Sequence, residues 1–90
     1  MAIVFRRSAG RHGVSQDRAR FVVEHCPCPL FAPDEGADGL VRVIFLGLDG
    51  GGVPLEVVGI ELESGDLVVI HAMRMRRHYR YAYAEVMKCR

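Results

Sequence analysis

No apolar run in this chain reaches the roughly 18 residues that a membrane-crossing helix requires, so no helical span is expected. Met1-Ala2-Ile3-Val4-Phe5 is followed by arginines rather than preceded by them, which does not read as a secretory signal. A cytoplasmic protein is the expectation. No internal repeat or low-complexity stretch divides the 90 residues, a length that suits one domain, residues 1–90, with a single modest core. The glycines Gly50 to Gly52 do not continue into a lysine and a helix, which argues against a phosphate-binding loop. No grouping of serine, cysteine and histidine points to a covalent nucleophile.

Cysteine is scarce and odd in number: Cys26, Cys28 and Cys89. Cys26 and Cys28 flank one proline, too tight for an ordinary disulfide, so free thiols in a reducing compartment are expected. His25-Cys26-Pro27-Cys28 lacks the second cysteine pair of common zinc sites. Neither a metal nor any other cofactor is expected.

The net charge of +1 conceals a strong asymmetry. Between Asp34 and Asp66 lie Asp34, Glu35, Asp38, Asp49, Glu56, Glu61, Glu63 and Asp66, against Arg42 alone. From Arg74 onward the bases Arg74, Arg76, Arg77, Arg80, Lys88 and Arg90 face only Glu85. Arg6, Arg7 and Arg11 form another basic group. Folded together, the two ends would make a positive face, though solvated surface arginines are the plainer alternative.

Phe5 to Arg11 reads as a strand end or small helix, and Gly10 and Gly13 put Arg11-His12 near a turn. Ser15 is a good N-cap, and Ala19, Val22, Val23 and Cys26 recur at helical spacing, predicting an amphipathic helix over about residues 16–26. Pro27 and Pro29 end it. Leu30-Phe31-Ala32 reads as a short strand before an acidic loop, Pro33 to Gly39. Leu40 to Leu46, Leu55 to Leu62 and Leu67 to Ala72 read as strands, the last two joined by a tight turn at Ser64-Gly65. Tyr79 to Met87 reads as a terminal helix. The expected class is α+β: an N-terminal helix or helices on a three- or four-stranded antiparallel sheet, with a short C-terminal helix.

The most distinctive stretch is Val68 to Tyr83, where an apolar strand ends in His71 and gives way to arginines interleaved with tyrosines. Guanidinium groups beside aromatic rings suit phosphate binding and base stacking. Simple alternation puts His71 on one face with Leu67 and Val69, so it is either a core histidine or a functional one. His12 either ends a short helix or takes part in chemistry. Met73 and Met75 read as apolar packing, and His78 as a surface residue.

These landmarks, taken in order, resemble the BrnT-type toxins of the RelE-like ribonuclease superfamily. The resemblance rests on His12-Gly13-Val14-Ser15 before a helix, a proline-marked break, Phe45-Leu46-Gly47, Leu55-Glu56-Val57-Val58, and a last strand ending Ile70-His71-Ala72-Met73. It covers roughly residues 8–83, and each motif alone is short. The family's serine and arginine fall here on His71 and Met73, which leaves Arg74 or Arg76 to supply the charge.

The resemblance implies a RelE-like fold and metal-independent cleavage of mRNA. That reaction needs a base for the ribose 2′-hydroxyl, cations for the phosphorane, and an acid for the leaving 5′-oxygen. Arg11, Arg74 and Arg76 suit the cationic role, since a guanidinium fork meets phosphate oxygens and stays charged. His12 and His71 suit the proton transfers, because histidine titrates near working pH. Arg77, Tyr79, Arg80 and Tyr81 are candidates for holding RNA, and Tyr79 or Tyr81 could instead donate a proton.

The implied partners are mRNA and a cognate antitoxin that neutralises the toxin as a hetero-oligomer; no membrane is involved. Two alternatives stand beside this type II toxin–antitoxin expectation. One is a RelE-like binding module, catalytically inactive and acting through RNA or a protein partner. The other is a toxin of this fold with a different target.

Overall fold

Ser15 starts the longest helix as its residue type predicts: its Oγ accepts the Arg18 backbone N–H at 3.3 Å, and Asp17 sits in the first turn. The computed structural model describes residues 2–32 and 40–88. In chain order these form strand β1 (Ile3–Phe5), a 3-10 turn (Arg7–Gly10), helix α1 (Gln16–His25), strands β2 (Leu30–Ala32), β3 (Arg42–Leu48), β4 (Pro54–Glu61) and β5 (Leu67–Arg74), a second 3-10 turn (Arg77–Tyr79), and helix α2 (Arg80–Val86). The expected acidic loop from Pro33 to Gly39 and the expected thiol at Cys89 lie outside the described residues.

The class is α+β, as expected, but the sheet differs from the expected three- or four-stranded antiparallel one. Among the described residues it has five strands in the order β1-β5-β4-β3-β2, and it is mixed. β1 pairs parallel with β5, Ile3 opposite Leu67 and Phe5 opposite Val69, while the other pairs are antiparallel. The chain therefore begins in the sheet rather than in N-terminal helices. A three-residue strand is too short to display a period, and its partner lies more than sixty residues away.

Two turns set the register of the central strands. Between β4 and β5, Gly65 takes φ +88°, in the left-handed region open to glycine, and its N–H reaches the Leu62 carbonyl at 2.9 Å. Between β3 and β4, Asp49 Oδ1 accepts the Gly51 and Val53 N–H groups at 2.8 and 2.9 Å, and Arg18 Nε donates to its Oδ2 at 2.7 Å. The Val53 hydrogen bond, then Arg18, hold the Asp49 carboxyl below its ordinary value of 3.8 despite burial.

The core lies between α1 and one sheet face. Ala19, Val22 and Val23 of the helix meet Val43 and Phe45 of β3, Leu55 and Val57 of β4, and Leu67, Val69 and Ala72 of β5. Gly59 completes this face, because a Cβ there would stand 2.7 Å from Leu67 Cδ1. Side chains alternate along a strand, so Ile44 and Leu46 of β3 and Glu56 and Ile60 of β4 are buried on the opposite face. The C-terminal segment turns back over that second face: the Arg76 N–H bonds Glu56, and α2 packs against β3 with Val86 buried.

Candidate active site

Glu56 is the only charged residue between Pro54 and Ile60, and its side chain is fully buried on the second face of the sheet. A carboxylate withdrawn from water is costly unless it is paired and hydrogen-bonded. Arg76 does both. Its backbone N–H reaches Oε1 at 2.8 Å, its Nε lies 3.1 Å from each oxygen, and its Nη2 reaches Oε2 at 2.7 Å. His71 Nε2 adds a further bond to Oε2 at 3.1 Å. Burial pushes the Glu56 carboxyl up, but the Arg76 and His71 hydrogen bonds outweigh it, leaving the group below its ordinary 4.5. The same bonds to Glu56 raise Arg76 against the opposing effect of burial.

His71 reaches Glu56 because β5 is irregular. The register runs Gly59 opposite Val69 and then Val58 opposite His71, so Ile70 is an extra residue in β5. Such a bulge turns the following side chain to the other face. Simple alternation grouped His71 with Leu67 and Val69; that expectation is overturned. Leu67 and Val69 are in the core, and His71 stands on the second face with 24% of its side chain exposed. Ser8, in the first 3-10 turn, donates its Oγ–H to the Ile70 carbonyl at 2.8 Å and so ties the bulge to the N-terminal segment.

That segment also delivers His12. Val14 is buried in the core and Gly13 takes φ +78°, so the turn between them fixes where the preceding residues lie. The His12 and His71 rings meet edge to face, with centroids 5.4 Å apart and planes at 68°. Tyr79 stands beside Arg76, whose guanidinium carbon is 5.9 Å from the ring centroid, and His78 lies against Tyr79.

The structure thus gathers four of the expected site residues, His12, His71, Arg76 and Tyr79, around the unanticipated Glu56. Arg74 is not among them: it pairs with Leu55 at the end of β5, on the face opposite His71. Arg11 is exposed next to His12 in sequence, and Arg77, Arg80 and Tyr81 are exposed along the second 3-10 turn and the start of α2. Among the described residues no ion pair engages Arg11, Arg74, Arg77 or Arg80, so their charges are available to a ligand. Arg76 is different, because much of its fork is already occupied by Glu56.

One signal in the sequence could have disclosed Glu56. A lone carboxylate within Pro54 to Ile60 needs a buried cation or a wet face, and the arginine-rich segment after β5 supplies the cation.

Of the thiols expected to be free, Cys26 is free, whereas Cys28 is disulfide-bonded. Burial pushes the Cys26 thiol up, only partly offset by the Leu46 and Cys28 N–H groups, which is the wrong direction for a nucleophile. Cys26 lines an apolar hollow of about 350 Å³ with Val22, Leu46, Tyr83 and Met87, and that hollow shares no residue with the Glu56 cluster. Among the described residues no group of three or more His, Cys, Asp and Glu side chains is placed to hold a metal, and no helix is long and apolar enough to cross a membrane. The chain matches no family model, no curated protein and no solved structure.

Proposed function

We propose that this chain is a metal-independent endoribonuclease with a RelE-like fold, the toxin of a type II toxin–antitoxin pair, and that His12 and His71 divide its two proton transfers. The observation that carries the reading is the edge-to-face histidine pair, with one ring tied to a buried carboxylate. Two imidazoles side by side offer one group to accept a proton and one to donate it. The resemblance to BrnT-type toxins in the order of motifs supplies the reaction class.

In that reaction one histidine takes the 2′-hydroxyl proton as the 2′-oxygen bonds to phosphorus. The bond from phosphorus to the 5′-oxygen breaks, and the other histidine, protonated, gives its proton to that oxygen. The products are a 2′,3′-cyclic phosphate and a 5′-hydroxyl. Arg11, beside His12, is the cation best placed in sequence for the phosphorane charge, and Arg77, Arg80 and Tyr81 extend an exposed surface for the strand. Arg76 serves mainly to hold Glu56. Localisation to the cytoplasm, where mRNA and an antitoxin would be met, belongs to the same proposal.

Expression in cells tests it. Wild-type protein should arrest growth, co-expression of the antitoxin should restore it, and His71→Ala should abolish the arrest while the protein stays folded. Undiminished arrest by that variant would remove His71 from the mechanism. A second reading, an RNA-binding module without catalysis, is favoured by one observation: neither Met73 nor the Glu56-bound Arg76 offers a free guanidinium where the family carries its arginine.

A further inference from the structure

Either ring nitrogen of a neutral histidine is chemically able to accept a proton, and the surroundings decide which one does. At His71 the decision falls to Glu56. An ionised carboxylate has lone pairs and no proton to give, so the 3.1 Å bond between Nε2 and Oε2 exists only with the proton on Nε2. Nor is the carboxylate free to rotate into another role. The Arg76 backbone N–H fixes Oε1 at 2.8 Å and its Nη2 fixes Oε2 at 2.7 Å.

We propose that Glu56 is the positioning residue of this site: it locks His71 in the tautomer protonated at Nε2 and leaves Nδ1 as the atom that takes the 2′-hydroxyl proton. Identifying that proton rests on the ribonuclease reading above; the tautomer itself does not. Three elements cooperate in the arrangement. The bulge at Ile70 brings His71 to the second face, β4 holds Glu56 beneath it, and the segment after β5 supplies Arg76. When Nδ1 accepts the proton, the new positive charge lies on a ring already bonded to a carboxylate, which stabilises it without moving any group. Arg76 is then an anchor for Glu56, which accounts for a cation in the site whose fork is turned inward.

The test is nitrogen NMR on protein labelled at histidine, with the His71 resonances assigned by their loss in His71→Gln. In the neutral ring of the wild-type protein the proton should reside on Nε2. In Glu56→Gln the side-chain amide can donate where the carboxylate accepted, so the proton population should move toward Nδ1 and kcat should fall about 10- to 100-fold. A wild-type ring protonated at Nδ1 overturns the proposal, as does a folded Glu56→Gln protein in which both the His71 tautomer and kcat are unchanged. Should that variant not fold, the wild-type ring decides alone. RNA cleavage on the same samples separates the two ideas. A wild-type protein with the Nε2 proton that leaves RNA intact refutes the ribonuclease reading and retains the positioning. One that cleaves RNA with the proton on Nδ1 does the reverse.

Discussion

Arg76 holds both oxygens of the Glu56 carboxylate from twenty residues away in the chain, and it does so from a half-exposed position while Glu56 has no exposed side-chain surface. The pair is therefore unequal. Removing the Arg76 side chain strands a buried charge, with only His71 and the backbone N–H of residue 76 left to bond it.

Arg76→Ala should accordingly destabilise the protein by about 3 kcal/mol, the lower end of what breaking a buried pair costs, because Arg76 is itself partly in water. The check is a urea titration, in which the midpoint should fall while the slope stays constant. A shift worth less than about 1 kcal/mol would mean that water or another side chain takes over the carboxylate.

Acid should act on the same pair. The Arg76 and His71 hydrogen bonds hold the folded Glu56 carboxyl below its ordinary 4.5, although burial alone would raise it. The unfolded chain therefore takes up the proton first as pH falls. The stability from this group is fully present above about 4.5 and is lost as pH drops toward the lower folded value. Asp49 titrates in the same sense from 3.8, held down first by the Val53 N–H and then by Arg18. Unfolding free energy measured from pH 7 down to pH 3 should decline in the acid range, with a shallower decline in Glu56→Gln.

Gly59→Ala tests the close approach of β4 and β5. The new Cβ would sit 2.7 Å from Leu67 Cδ1 and 3.2 Å from the Val68 carbonyl oxygen, beside the register shift. Overpacking there should cost about 1–3 kcal/mol. Thermal denaturation reads it directly, and an unchanged midpoint would mean that Leu67 moves aside without penalty.

The three long strands, α1 and the terminal helix were legible because each carries its own local pattern. Ser15, Pro27 and Gly65 mark boundaries that the folded chain respects. What escaped was non-local. β1 is three residues long and is held by a partner near the other end of the chain. Glu56 looked like one more member of an acidic stretch, because its burial depends on Arg76. The face occupied by His71 does not follow from the sequence, because a single extra residue, Ile70, reverses the alternation, and nothing in Val69-Ile70-His71 announces the bulge. The site was legible as a set of residue types around His71 and Arg76, and not as a geometry.

Arg77 and Arg80 are free of ion pairs among the described residues, which makes them the plainest test of an RNA surface. Each phosphate contact to a single strand contributes about 0.7 to the salt dependence of binding. Arg77→Ala with Arg80→Ala should therefore weaken binding and flatten the plot of log affinity against log salt by about 1.4, if both touch phosphates. Fluorescence anisotropy with a short labelled RNA measures this, and an unchanged slope would place the strand elsewhere.

Incubation of purified protein with a defined RNA in EDTA, followed by mapping of the product ends, bears most directly on the central claim. The two-histidine site predicts fragments with 2′,3′-cyclic phosphate and 5′-hydroxyl ends, formed without metal and reduced about 100-fold or more in His71→Ala. Intact RNA after exposure to folded wild-type protein free of any antitoxin, or cleavage that His71→Ala leaves unchanged, would contradict it.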